Sequence, residues 1–203
     1  VALCYGTPGL SLTICDSSNF TRNQVTGEID FLSSQPVNAA SERASGVDLG
    51  LLYEFQWGQW HGSLDWDASY LDRYDLIPYQ GGPTIEYAGK TTGGRGSYAK
   101  WRSLAELAVS QGPWSGSYSL QYIGKVDDIN ASPGDIGDHA PSVTYHNAMA
   151  RFAFDESLSV ELGIDNLFNK QAPFVQSYTD ANTDTMTYDL LGRRMYLRVN
   201  YRW

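Results

Sequence analysis

The stretch VDLGLLYEFQWGQWHGSLDWDASY at residues 47–70 decides the fold. Its first half places Val47, Leu49, Leu51, Tyr53, Phe55 and Trp57 on one side, against Asp48, Gly50, Leu52, Glu54 and Gln56 on the other. A period of two with one apolar side is the pattern of a β-strand. After Gly58-Gln59 the alternation resumes, with Trp60, Gly62, Leu64, Trp66, Ala68 and Tyr70 facing away from His61, Ser63, Asp65, Asp67 and Ser69. Two such runs joined by a Gly-containing pair form a tight hairpin.

The device recurs along the chain. Residues 101–109 and 114–122 alternate in the same way around Gln111-Gly112-Pro113, and residues 147–154 and 158–165 do so around Asp155-Glu156-Ser157. A final strand carries Met195, Leu197, Val199, Tyr201 and Trp203 opposite Arg194, Tyr196, Arg198, Asn200 and Arg202. Seven strands result. Residues 28–35 read either as an extension of the first strand or as a separate ribbon. Turns near residues 58, 112 and 156 are short, whereas 72–98, 125–142 and 167–192 are long, polar connections.

Composition narrows the class. The 203 residues are 42% hydrophobic and 13% aromatic, with 14 Tyr, 6 Trp and 20 Gly, a mixture that suits strands and turns and excludes disorder. A net charge of -9, from 23 acidic and 14 basic side chains, with no basic stripe, argues against nucleic acid as a partner. No apolar run is long enough for a membrane helix, and none reads as a signal peptide. Position 1 is Val, so the sequence reads as a processed chain or as an internal piece of a longer one.

Two architectures accept these strands: a soluble sandwich or a membrane barrel with its apolar face in lipid. Strand length favours the barrel, because a tilted membrane strand needs about 9–11 residues and soluble strands average about 5–6. Aromatic placement agrees. Trp57, Trp60, Trp114, Phe152, Phe154, Tyr201 and Trp203 cluster at the short-turn ends, with Tyr70 and Tyr122 at the opposite ends, as interfacial girdles require. The other face, with Asp48, Glu54, Asp65, Asp67, Arg102, Glu106, Arg151, Glu161, Asp165, Arg194, Arg198 and Arg202, becomes a polar lumen. The hydrophobic content is then expected to lie along the lipid-facing side rather than in a core.

Cys4 and Cys15 lie in a loop-like segment and read as one disulfide if the chain is exported, or otherwise as two unrelated thiols. No catalytic constellation is visible, so no enzymatic activity, catalytic residue, cofactor or metal site is expected. His61, His139 and His146 are scattered, and His139 and His146 fall in or beside an outer loop. Asp180, Asp184 and Asp189 fit no EF-hand spacing and read as a solvated loop, not a calcium site. Gly93-Gly94-Arg95-Gly96 reads as a flexible hinge. Tyr74, Tyr79, Tyr87, Tyr98 and Tyr178 are candidate ligand-stacking residues, and packing between loops is the plainer role for them. Phe168, Pro173 and Phe174 are expected to pack a loop base.

The run Gly163-Ile164-Asp165-Asn166-Leu167-Phe168-Asn169-Lys170, then Gly192-Arg193-Arg194 and a terminal aromatic Trp203, resembles the carboxyl end of a TonB-dependent outer-membrane receptor. Cys4, Cys15, Arg22, Gly27, Ile29, Asn38 and Ser45-Gly46-Val47-Asp48 resemble receptors with a disulfide-closed outer loop before a descending strand. The resemblance implies an all-β fold, a transmembrane antiparallel β-barrel fragment of about seven strands from a roughly 22-stranded barrel. Residues 1–203 would be the carboxyl-terminal portion of the barrel domain, without its plug. Within it, 1–46 would form the disulfide-containing outer loop and the start of the first strand, and 47–203 the membrane strands.

It also implies a bacterial outer-membrane location, with short turns periplasmic and long loops outside. The expected function is energy-coupled uptake of a siderophore, a cobalamin-like molecule or an oligosaccharide. Partners would be the TonB complex through the missing plug, outer-membrane lipid and lipopolysaccharide, and the barrel-assembly machinery reading Trp203. Asn166, Leu167, Phe168, Gly192 and Arg193 carry the motif. A passive porin or structural barrel is the alternative, followed by a soluble carbohydrate-binding sandwich.

Overall fold

The computed structural model describes residues 20–33, 41–78 and 82–203. The chain divides into two compact units, Val1–Ala39 and Ala40–Trp203. In the first, β1 (Phe20–Arg22) pairs antiparallel with β2 (Ile29–Leu32) as a separate ribbon. Asn23 Oδ1 accepts the amides of Val25 and Thr26 and shapes its turn.

The second unit is built on one antiparallel ladder. It contains β3 (Ser41–Trp57), β4 (Trp60–Ile77), β5 (Ile85–Glu86), β6 (Lys90–Thr92), β7 (Gly96–Tyr98), β8 (Trp101–Gln111), β9 (Trp114–Ile123), β10 (Val126–Asp128), β11 (His139–Ala140), β12 (Val143–Ala153), β13 (Leu158–Asp165) and β14 (Arg194–Tyr201). The main sheet runs β14-β13-β12-β9-β8-β4-β3, with β5 added beside β4. Every neighbour along this path is also the next long strand in the chain. The sheet is the meander expected of consecutive hairpins.

Register keeps the two faces apart across all seven strands. Leu51 pairs with Trp66, which pairs with Ala105, then Leu120, and on the same face Tyr118 pairs with Ala148, Ala148 with Ile164 and Ile164 with Met195. One row over, Asp65 stands opposite Glu106, Glu106 opposite Ser119, and Glu161 opposite Arg198. A slip of one residue at any strand would exchange the two sets. The tight turns hold the register. Gly58 and Gly112 take φ of 62° and 54° at the first turn position, a left-handed conformation that glycine adopts without strain, and Asp155 Oδ1 accepts the amides of Ser157 and Leu158.

β3 and β4 are 17 and 18 residues long, so they extend past the membrane thickness that the shorter strands match. Their pairing shifts by one residue between Ser45 and Gly46, leaving Asp72 as the extra residue on β4. A Cβ on Gly46 would stand 2.4 Å from the Tyr70 carbonyl oxygen, so this close approach excludes any side chain. The Gly-Val-Asp signature therefore marks a bulge beside the outer girdle. That girdle contains Tyr70 packed against Trp101 with ring centroids 4.7 Å apart, and the short-turn girdle contains Trp114, Phe152 and Phe154 with centroids 4.6 and 4.8 Å apart.

The core is not where the strand pattern alone would put it. Ala99, Ile123, Val126, Ala140, Val143, Tyr145, Val175 and Tyr188 form a buried cluster at the long-loop end of the sheet, with Ala172 and Tyr178 against it. The long connections are thus a folded cap. Away from that cluster most strand side chains, lumenal and lipid-facing alike, stay open, with Leu51 47% and Leu52 66% exposed.

The two faces differ in what they tolerate. Leu51→Arg is expected to cost about 2–4 kcal/mol of stability in lipid, and Leu52→Arg, on the polar face, close to nothing. Urea unfolding of the full-length protein in bilayers checks this, and equal effects at the two positions would contradict the face assignment.

Candidate functional site

The cap is the part of the molecule with built polar chemistry. Its four strands run β11-β10-β6-β7, with β10 and β6 parallel, so two different long connections share one small sheet. Lys90 and Lys125 reach Asp127 at 3.4 and 3.0 Å across that pairing. The third connection, 166–193, closes over it. Asp128 accepts the amide of Asn130 through Oδ1 and that of Ser177 through Oδ2, at 2.9 Å each. Thr91 Oγ1 lies 2.8 Å from both Ser97 Oγ and the Tyr178 hydroxyl.

Gly93 and Gly94, read from sequence as part of a hinge, belong to the turn of the β6–β7 hairpin. Packing, not flexibility, demands a glycine at 93. A Cβ there would lie 2.2 Å from the Ser177 carbonyl oxygen, and its amide donates to Ser177 Oγ at 3.1 Å.

Asn166 fastens the base of the 166–193 connection. It is 2% exposed and sits at φ 51°, a left-handed conformation that Asn tolerates better than most residues. Its amide donates to Asn147 Oδ1 at 2.9 Å, its Nδ2 donates to the Lys170 carbonyl and to Asp189 Oδ2, and its Oδ1 accepts the Lys170 amide at 2.7 Å. Strand β12, the start of the loop and its end thus meet on one residue, β12 through its amide and the two loop ends through its side chain. Asn169 adds a second tie, accepting the Arg193 amide on Oδ1 at 3.0 Å. Gly192 passes so close to it that a Cβ would stand 2.7 Å from Asn169 Oδ1. The two halves of the carboxyl-terminal motif are therefore one hydrogen-bonded clamp. The resemblance flagged these residues without showing that they touch.

The stacking candidates separate. Tyr74, Tyr87 and Tyr98 form a cluster with centroids 4.6–6.0 Å apart, capped by the Arg95 guanidinium 5.6 Å from the Tyr87 ring. Tyr87 is buried and Tyr178 is held by Thr91, so both are packed into the cap, whereas Tyr79, Cys4 and Cys15 lie outside the described residues. Phe168 does not pack the loop base. It is 68% exposed and meets the edge of His146, which lies in β12 beside the outer loop and shares a 2.6 Å hydrogen bond with the Tyr118 hydroxyl. Phe174 is likewise exposed, and Trp203 stands fully exposed past the end of β14.

Sequence reasoning also missed the buried end of the third loop. Thr183, Asp184 and Tyr188 are 2%, 1% and 4% exposed. Burial, with Asp184 beside it, pushes the Tyr188 phenol up to about 12. Burial raises Tyr178 in the same direction. At the surface, the Gly134 amide and then His139 hold the Asp138 carboxyl below its ordinary value.

On the lumenal face, charge is sorted by strand. β3, β4 and β8 present Asp48, Glu54, Asp65, Asp67 and Glu106 against Arg102 alone, and none of those five carboxylates makes an ion pair among the described residues. β9 between the walls is neutral, with Ser115, Ser117, Ser119 and Gln121. β13 and β14 carry the paired charges, Glu161 with Arg198 at 3.1 Å and Asp165 with Arg194 at 3.6 Å. Arg102 reaches upward instead, donating to the Ser97 carbonyl at 2.7 Å.

The family model for the β-barrel of TonB-dependent receptor-like proteins matches residues 13–167. The chain belongs to that family. Its barrels are those of receptors in the bacterial outer membrane, a transport family rather than a family of enzymes. Among solved structures, the ferric-catecholate import receptor Fiu from E. coli K12 superposes with a TM-score of 0.53 at 11% identity, over 90% of this chain. The chain spans 23% of that receptor's length, so the seven-stranded sheet is a partial barrel. No curated protein sequence matches.

Replacing Asn166 with Ala removes three side-chain hydrogen bonds and strands the Lys170 and Asp189 groups, while the backbone bond to Asn147 is kept. A loss of about 1–3 kcal/mol is expected, concentrated in the cap. Faster proteolysis within 166–193, with the strands still protected, is the measurement that checks it.

Proposed function

We propose that this chain is the carboxyl-terminal part of the barrel of an energy-coupled outer-membrane receptor. The family match over residues 13–167 carries the reading. The folded cap faces outside and meets the ligand first, the polar face lines the lumen, and force from the inner membrane acts through a plug elsewhere in the full protein. Residues 47–203 supply membrane strands and cap, and residues 1–46 an outer loop closed by Cys4 and Cys15. Trp203 is the residue read during barrel assembly, a role that its exposure past the end of the last strand supports.

Among the ligand classes such receptors accept, the acidic wall on β3, β4 and β8 favours neutral or cationic solutes. Five unpaired carboxylates facing one lumen repel a polyanion, and the low dielectric of the barrel wall prolongs that repulsion. The likeness to Fiu, a ferric-catecholate importer by name, concerns the fold. A neutral siderophore, a cobalamin-like molecule or an uncharged oligosaccharide suits the wall better.

Uptake of labelled neutral siderophore, cobalamin, neutral oligosaccharide and ferric catecholate by cells with and without the full-length gene tests this. Expected is saturable uptake of one uncharged ligand that a protonophore abolishes. Uptake indifferent to the protonophore would make the protein a porin, and preference for the catecholate would reject the charge argument. The disulfide is checked separately by intact mass and alkylation without reductant, with no thiol labelling expected at Cys4 or Cys15.

A further inference from the structure

The cap encloses a cleft of about 420 Å³ that belongs neither to the lumen nor to the tyrosine cluster. Ser177, Tyr178, Asp180, Thr183, Asp184 and Gly96 are among its lining residues. The lining is rich in oxygen and contains no Lys, Arg or His. Two of its buried atoms, Asp184 Oδ2 and Thr183 Oγ1, have no hydrogen-bond partner in the protein.

That pairing is hard to explain as packing. Asp184 is 1% exposed, and its other oxygen is used by the Met186 amide at 3.1 Å. A buried carboxylate oxygen can only accept, and leaving one without a donor or cation costs several kcal/mol. The backbone leaves it room. Gly96, at φ 96°, has no side chain, and a Cβ there would lie 3.6 Å from Asp184 Oδ2. The nearby cations are engaged elsewhere, Arg102 by the Ser97 carbonyl and Arg95 by the Tyr87 ring and Glu42.

We propose that this cleft is a site for a hard divalent cation of the calcium class, with Asp184 Oδ2 and Thr183 Oγ1 as its buried ligands. Asp180, exposed at the mouth, supplies a second carboxylate, and hydroxyl, carbonyl and water oxygens complete a shell of six or more. Calcium tolerates such a mixed, irregular oxygen set, whereas magnesium demands near-octahedral geometry. With two carboxylates and a solvent-facing mouth, affinity falls in the range of extracellular calcium modules, on the order of 10⁻⁴–10⁻³ M. The ion would fasten the 176–188 turn onto the β6–β7 hairpin, coupling cap order to the external medium.

Terbium, a luminescent stand-in for calcium sensitised by nearby tyrosine, is titrated into the full-length receptor in detergent. Tyr178 lines the cleft and serves as the sensitiser. Expected is luminescence that calcium displaces and equimolar magnesium does not, with Asp184→Asn weakening terbium binding about tenfold or more. Asp135→Asn, in a neighbouring loop, is expected to leave it unchanged. Thr183→Val and Asp180→Asn, which keep shape, are expected to weaken binding as well, and they decide the matter if the Asp184 variant does not assemble. Binding that calcium does not displace, or that Asp184→Asn, Thr183→Val and Asp180→Asn all leave intact, would show that the cleft holds only water. The readout needs no transport, so it stands or falls apart from the uptake reading.

Discussion

A peptide group in hydrocarbon finds no water, so each N–H and C=O of a spanning strand must be paired with a neighbouring strand. The uninterrupted ladder from β3 to β14 is the direct result. It fixes the tight turns, because a chain that must pair with its predecessor at once has only a few residues in which to reverse, two at Gly58-Gln59 and at Gly112-Pro113 and four at 154–157. It also fixes the side-chain pattern, since a fully paired strand presents alternate residues to lipid and lumen. The edges of β3 and β14 are where further strands of a complete barrel pair.

The same constraint explains why the packed core lies beyond the strands. A sheet with lipid on one side and a wet lumen on the other has nothing apolar to fold onto, so its hydrophobic side chains stay at the surface. The cap has no such solvent. Its connections must satisfy their own backbone groups, and they do so with short strands, Asn166, Asp128 and glycines at close approaches. Long loops that would otherwise be mobile become a layer able to present a defined surface.

Charge follows the layers as well. The acidic wall on β3, β4 and β8, the serine stripe on β9 and the ion-paired wall on β13 and β14 give the lumen a lateral field. Like charges opposed across strands, as Asp65 and Glu106 are, oppose folding of the bare sheet. A barrel retains such a pair at little cost only where solvent or a complementary surface faces it.

Residues 47–70 were enough to read strand, turn, face and, with their repeats, the seven-strand meander, because alternation is a local property of extended backbone. The carboxyl-terminal motif was equally legible as a resemblance. The cap was not. Its contacts join Thr91 to Tyr178 across 87 positions and Asp128 to Ser177 across 49, distances at which no periodicity operates. Asp184 looked like one acid of a solvated loop and lies buried, Gly93 looked like a hinge and is a packing contact, and Phe168 looked like packing and is exposed. Local backbone geometry wrote the barrel strands into the sequence, and only tertiary structure, by folding three distant loops onto one another, decided which polar groups lost their water.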